Sequence, residues 1–354
     1  MNHGKTGGIS RRTVLAAGAA ACCAPTLAFG ERFRPDTLLK ISVDTAANHV
    51  RNEALGVFEV RLGEETGHAM QATVFSSAQL AKDRDIVKAL HWGLVDIGVP
   101  ALSKMTRFDA NANLFTLPMF YGSDLSTVYA INDGPIGAEL YRLMEEKTKT
   151  HMLGRSLDLG YTNLYTTERR VRSISDMKGL KIRVPGSRAS LELYKLFDAN
   201  PIVIPFSDLA IAVSQGNVDA VQTTHETLRS GQMWESGIRF CYEERSSYLG
   251  YVPLISLRTW HAMSESDQQR ITAVWESIVD DSRLLAQRRQ QSAREELEQN
   301  GIEIFSDVEA LSAARRGDCL TAPSCWPRNS AWTCLWYQLQ RMYWMQCAQM
   351  VSPE

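Results

Sequence analysis

The stretch Gly179-Leu180-Lys181-Ile182-Arg183-Val184-Pro185 fixes a cation on a short strand. Leu180, Ile182 and Val184 alternate with Lys181 and Arg183, the two-residue period of a strand with one buried face. Pro185 has no amide hydrogen to give to a sheet ladder and ends the strand. Arg183 therefore belongs at a strand's carboxyl end, the edge where open α/β sheets hold their ligands. A guanidinium presents a planar fork of donors that matches a carboxylate through two bonds. The chemistry on offer is anion recognition, and the plain alternative is a surface arginine paired with a neighbouring acid. Catalysis has less support. His49, His68, His91, His151, His225 and His261 show no HExxH spacing, no serine sits in a Gly-x-Ser-x-Gly elbow, and neither a Walker loop nor a dinucleotide fingerprint is present. His225, after Thr223-Thr224, is a candidate base, with a hydrogen-bonding ligand contact as the simpler reading.

Other blocks accompany that strand in a fixed order. Ser76-Ser77-Ala78-Gln79-Leu80 and Leu94-Val95-Asp96-Ile97-Gly98 precede it; Ile204-Pro205-Phe206-Ser207-Asp208-Leu209 and Ser214-Gln215-Gly216-Asn217-Val218-Asp219-Ala220-Val221-Gln222-Thr223-Thr224 follow it. From about residue 39 to about residue 305 the chain resembles the DctP-type solute-binding proteins of TRAP (tripartite ATP-independent periplasmic) transporters. The resemblance implies a two-domain α/β periplasmic binding protein (type II-like), with mixed sheets, a ligand cleft between the domains and a long bridging helix. It implies domain I over 36–159 and 249–288, and domain II over 160–248 and 289–316. The implied function is to bind an organic acid and deliver it to the small and large membrane subunits of the transporter, as a monomer without cofactor or metal. A sensing subunit for a membrane receptor needs the same closing cleft, and an exported lyase or hydrolase is the enzyme alternative.

By position, Arg183 matches the family arginine that clamps a substrate carboxylate. Phe206 matches an aromatic residue that packs on the ligand, or is plain core. Thr223 stands where an asparagine is common and still offers a hydroxyl. Asp44 and Ala101 match further pocket positions, Ala101 being small where some members carry an acid. Gln79 follows the second strand and lines the first domain's side or caps the next helix. Thr162 stands where many members have a second arginine, and Tyr161, Thr162 and Asn163 supply hydroxyl and amide groups there. One fixed cation suits a monocarboxylate, such as an aromatic, hydroxy or keto acid, over a C4-dicarboxylate. Trp92, Tyr248, Tyr251 and Trp260 are candidates to enlarge an aromatic pocket.

The amino terminus points the same way. Ser10-Arg11-Arg12-Thr13-Val14-Leu15 is a twin-arginine pattern, followed by an apolar run over 14–24 that is too short to span a bilayer. Thr26-Leu27-Ala28 places signal-peptide cleavage after residue 28; lipidation at Cys22 or Cys23 is the alternative. The expected location is the periplasm, reached by the twin-arginine route. Lys5, Arg11 and Arg12 of this leader belong to 38 basic residues set against 40 acidic ones, so the exported chain keeps 35 and a net charge of −5. That balance offers no basic face for nucleic acid. Roughly 325 residues remain, enough for two cores.

The periodicity predicts strands at 38–43 and 70–75 around a helix at 48–66, then a helix at 83–92 and a strand within 93–99. A helix over 124–147 is broken at Gly134-Pro135. Strands at 152–157 and 163–167 cross into a second unit, followed by a helix at 187–196, a strand at 201–204, a helix at 207–215 and a strand from 220 to 222. Residues 265–300 contain no Gly or Pro and carry Ile271, Val274, Trp275, Ile278, Leu284, Leu285, Ala293 and Leu297 as an apolar stripe. At 1.5 Å per residue that helix is roughly 50 Å long, more than one domain requires.

The segment 317–354 departs from everything before it. It holds four of the eight tryptophans (Trp326, Trp332, Trp336 and Trp344) and four of the seven cysteines, in a spacing that fits no zinc site or disulfide scaffold. The expectation is an atypical tail, frameshifted or unrelated to the family's closing helix.

Overall fold

A helix that is covered on one side and a strand that is followed by it form the first unit of the chain. β1 (Thr37–Ser42), α1 (Val50–Glu65) and β2 (Met70–Phe75) make a strand-helix-strand crossover, with β1 and β2 parallel from Thr37 opposite Met70 to Ser42 opposite Phe75. The computed structural model describes Met1 and residues 37–117 and 120–306, so the leader and the tail expected above lie outside the described residues. His49 caps α1, its Nδ1 accepting from the Arg51 amide at 3.0 Å, and Ala54, Leu55, Phe58 and Leu62 bury the inner face. Then come α2 (Ile86–His91) and β3 (Ile97–Gly98), which pairs parallel with β1. α3 (Leu125–Asn132) and α4 (Pro135–Thr148) are separated at the expected Gly134-Pro135 break, with proline at the first helical position. β4 (Thr150–Met152) and the late strand β10 (Leu254–Ser256) complete a five-stranded sheet in the order β2-β1-β3-β10-β4.

The second sheet is built from β5 (Leu157–Thr166), β6 (Lys181–Val184), β7 (Asn200–Val203), β8 (Ala220–Thr223), β9 (Phe240–Tyr251) and β11 (Glu303–Ser306). Its order is β11-β9-β5-β8-β6-β7. α5 (Arg188–Leu196), α6 (Leu209–Ser214) and α7 (His225–Ser230) connect its strands. β6 lies parallel between β7 and β8, so the carboxyl ends of all three share one edge, the position predicted for Arg183.

α8 (Leu257–Ala262) leads into α9 (Glu265–Gln299), the uninterrupted 35-residue helix that the sequence predicts. Ile271, Val274, Trp275 and Ile278 join the core under α1 and the first sheet, whereas Leu297 joins Val221, Cys241 and Ile302 in the second. One helix thus contributes to both cores. The mixed α/β architecture and the bridging helix agree with expectation.

Two strand assignments need correction. In place of strands at 152–157 and 163–167 there are the short β4 and a continuous ten-residue β5. Gly160 does not end the strand. It takes φ +90° at a register shift, and its amide donates to Asp158 Oδ1 at 2.6 Å, so a β-bulge absorbs it. The twelve-residue β9 was not foreseen at all. Its pairing with β5 skips from Leu164–Tyr242 to Thr162–Ser247, so Asn163 alone faces four residues, Glu243 to Ser246. That charged, bulged centre hides the strand's alternation.

Candidate functional site

Arg183 ends β6 with only 2 % of its surface exposed. Its Nε donates to the Ile204 carbonyl at 2.9 Å and its Nη1 to the Gln222 carbonyl at 3.2 Å, groups at the carboxyl ends of β7 and β8. No carboxylate lies within ion-pair distance of it among the described residues. Burial draws its pKa down to about 10, against the pull of Asp44 and Tyr251, so it remains a cation at neutral pH. A buried guanidinium held by carbonyls alone is short of negative charge.

The facing wall comes from the first sheet and is densely charged. Asp44, just past β1, accepts from Arg51 Nη2 at 2.8 Å and from Lys104 Nζ at 2.6 Å. Asp83 accepts from Arg51 Nη1 at 3.2 Å and Lys104 Nζ at 3.0 Å. Arg51 also donates to the Val99 carbonyl and lies 4.2 Å from the centre of the Tyr251 ring. Burial works to raise the Asp44 pKa, but Lys104 and Arg51 outweigh it and hold the carboxyl far below its ordinary value. Burial and the neighbouring Asp44 push Asp83 upward. Lys104 packs against Gly186, three residues beyond Arg183, where an added Cβ would sit 3.7 Å from the lysine Cγ. The two walls are therefore adjacent.

Further contacts join the sheet units. Lys82 pairs with Asp208 at 2.8 Å, and Asn113 Oδ1 accepts from Ser187 Oγ at 2.8 Å and from the Ala189 amide at 3.1 Å. The Val50 amide donates to Glu226 Oε1, and His49 Nε2 meets Thr227 Oγ1 at 3.2 Å.

The expected ligand residues do not all converge. Thr223 lies two positions past Val221, the register partner of Arg183, so both are on one face of the sheet; it is buried with no side-chain partner among the described residues. Asn163, opposite Thr223, is on the same face, but its amide is engaged elsewhere: Nδ2 lies 3.1 Å from His225 Nε2 and Oδ1 accepts from the Arg245 amide. Thr162 faces the other way, because adjacent strand residues alternate, and shares its hydroxyl with Ser246 and Gln222. Phe206 is half-buried against the core of α6 and α7, its ring tip close to Gly231. Gln79 is exposed. Ala101 bridges to Tyr251. Of the other aromatics, Tyr251 joins the charged wall, Tyr248 packs with Phe115 and Tyr161 in the core, Trp260 lies against the His151 ring at a tilt, and Trp92 is 77 % exposed.

The sequence profile of the bacterial extracellular solute-binding proteins, family 7 (DctP), matches residues 41–316. The chain belongs to this family. The sialic acid-binding periplasmic protein SiaP of Vibrio cholerae is 25% identical over 257 residues, covering 72% of this chain and 78% of its own. Among solved structures, a TRAP periplasmic solute binding protein from Sulfurospirillum deleyianum with bound succinate is 23% identical with a TM-score of 0.73, covering 79% of this chain and 92% of that one. The sugar acid binding protein of Advenella mimigardefordensis, in complex with galactonate, is 17% identical with a TM-score of 0.75 and covers 81% and 92%. This chain has the two-domain fold of TRAP solute-binding proteins. No helix among the described residues is long and apolar enough to cross a membrane.

For this DctP-family chain, sequence reasoning missed Arg51, Asp83 and Lys104. Arg51 is separated from Asp44 by a loop and a helix cap, and Lys104 from Asp83 by a helix and a strand, so no local spacing links them. The available signal was Lys104, three residues beyond the matched pocket position Ala101.

Proposed function

We propose that this protein is the periplasmic binding subunit of a TRAP transporter, which captures an organic acid between its two domains and delivers it to the small and large membrane subunits. Arg183 carries this reading: a buried guanidinium at a sheet's carboxyl edge, satisfied by two carbonyls and lacking an acid. An incoming carboxylate supplies the missing charge and accepts the remaining donors. Domains 36–159 with 249–288 and 160–248 with 289–316 form the two jaws, and β5, β9 and α9 join them. Asp44 and Thr223 are proposed at the ligand, with Phe206 flanking it.

Charge selects the class of acid. Arg51, Lys104 and Arg183 face Asp44 and Asp83, leaving one cation uncompensated. A monocarboxylate balances that wall, and the second carboxylate of a dicarboxylate would be buried without a partner, at a cost of several kcal/mol. Sialic acid and galactonate, named for two relatives, each carry one carboxylate, and succinate, bound to the third, carries two. The charge balance of this chain's own residues is what supports a single carboxylate.

The test is a thermal-shift panel, because a ligand that binds only the native state raises its melting temperature. Hydroxy, keto and aromatic monocarboxylates are expected to outrank succinate, malate and fumarate. A leading C4-dicarboxylate overturns the monocarboxylate assignment, and no shift with any organic acid overturns the binding function.

A further inference from the structure

Another concavity lies between α9 and the strands β5 and β9. It encloses about 420 Å³, within the size range of small-molecule sites. Asp44, Arg51, Asp83, Lys104, Arg183 and Thr223 take no part in its lining, so it is separate from the acid site proposed above. Its walls are β5 around Gly160 to Asn163, β9 at Glu243 and Arg245, and α9 from Gln287 to Arg294.

The feature that makes it a candidate site is the bulge in β9. Four residues are looped against Asn163, and Arg245 among them takes φ +44°, a left-handed conformation that is uncommon for a non-glycine residue. Its amide is pinned by Asn163 Oδ1 at 3.2 Å and its carbonyl by the Gly122 amide at 3.2 Å. The guanidinium is held 4.8 Å from the centre of the Tyr161 ring, half-buried, with no carboxylate in ion-pair range among the described residues. Bulges re-aim side chains, and here the re-aimed side chain is a cation that lines a cavity.

Both acids of the lining are already engaged. Glu243 Oε1 lies 2.8 Å from Arg294 Nε and 3.0 Å from His225 Nε2. Asp158 accepts from the Tyr129 hydroxyl and the Gly160 amide. Arg245 is thus the one lining cation without an ion-pair partner among the described residues. The remaining polar wall is mostly amide, with Gln287 and Gln291 exposed, and Leu125 and the Tyr161 ring are the main apolar surfaces.

We propose that this cavity is a second anion site, in which a small hydroxylated carboxylate docks its acid group on Arg245 and its hydroxyls on the glutamines of α9. Because its walls are the strands and the helix shared by the two domains, a bound anion ties α9 to β9 and biases the setting of the hinge.

The experiment uses the full chain carrying Arg183→Ala, so that the acid site is disabled and its assignment does not affect the outcome. Sodium gluconate and inorganic phosphate, at matched ionic strength, are titrated calorimetrically into this variant and into the Arg183→Ala, Arg245→Gln double variant. Saturable gluconate binding is expected in the first and at least tenfold weaker binding in the second. Amide hydrogen exchange, read on the parent as well, is expected to slow in 243–245 and 287–294 when gluconate is added. Absence of saturable gluconate binding, a loss below tenfold, or slowing confined to other segments overturns the site. Phosphate binding tighter than gluconate overturns the assigned ligand class.

Discussion

Lys82 Nζ lies 2.9 Å from one carboxylate oxygen of Asp208 and 2.8 Å from the other, linking residues 126 positions apart on opposite sheet units. Lys82 directly precedes Asp83 of the charged wall, and Asp208 lies two residues beyond Phe206. We propose that the pair acts as a clasp beside the acid site. Both side chains are partly exposed, so water screens the pair and its effect is modest. For Lys82→Ala we expect an affinity loss of about two- to fivefold. In solution scattering the ligand-free variant should have a larger radius than the parent, with the difference vanishing at saturating ligand. Identical radii without ligand would show that the pair does not restrain opening.

Arg183→Ala separates binding from folding. Losing a charge-assisted partner in a closed site costs on the order of 30-fold to several thousand-fold in affinity. Stability without ligand should stay level or rise, because the variant no longer buries an uncompensated cation. Calorimetry with the best acid from the panel, combined with thermal unfolding, reads both quantities. An affinity within threefold of the parent would remove Arg183 from the site.

Asp44→Asn is expected to act in the opposite sense on stability. The substitution leaves Arg51 and Lys104 with Asp83 as their only carboxylate partner in the wall. Breaking a buried pair from one side costs about 3 kcal/mol or more. A urea unfolding midpoint unchanged from the parent would mean that Asp44 is not what holds these two cations.

Asp158 supplies a pH signature. Burial lifts its pKa from 3.8 to about 6 in the folded chain. Between those values the folded state keeps a proton that the unfolded state releases, so this residue's contribution falls as pH rises from about 4 to about 6, by up to about 3 kcal/mol. In Asp158→Asn that contribution is gone. The stability difference, variant minus parent, should therefore grow over this range. A constant difference from pH 4 to pH 7 would assign Asp158 an ordinary pKa.

How far the fold could be read from sequence follows from where the constraints act. α9 was legible because 35 residues without Gly or Pro repeat an apolar stripe, and β6 because its alternation ends at a proline. β9 was not, because a strand that is looped out by four residues at its centre loses its two-residue period. Arg183 could be placed on the correct edge since one strand determines its position. The faces of Thr162 and Asn163 could not, because the bulge at Gly160 decides which of them points toward Thr223, and a bulge shifts the alternation by one residue. Arg51, Asp83 and Lys104 meet only through the packing of three separate segments.

The placement of β10 in the first sheet has a consequence for biogenesis. Leu254–Ser256 inserts between β3, complete by residue 98, and β4, complete by residue 152. During synthesis the first sheet stays unfinished, with two open backbone edges, until about a hundred further residues have been made. The second sheet in turn waits for β11 at Glu303–Ser306. Both sheets are thus completed late, the first by β10 and the second by β11, and closing such distant pairings is slow. Exposed strand edges invite pairing with other chains in the interval. A chain truncated between β4 and β10 therefore keeps β4 apart from β2-β1-β3, two pieces of a sheet in place of one finished layer.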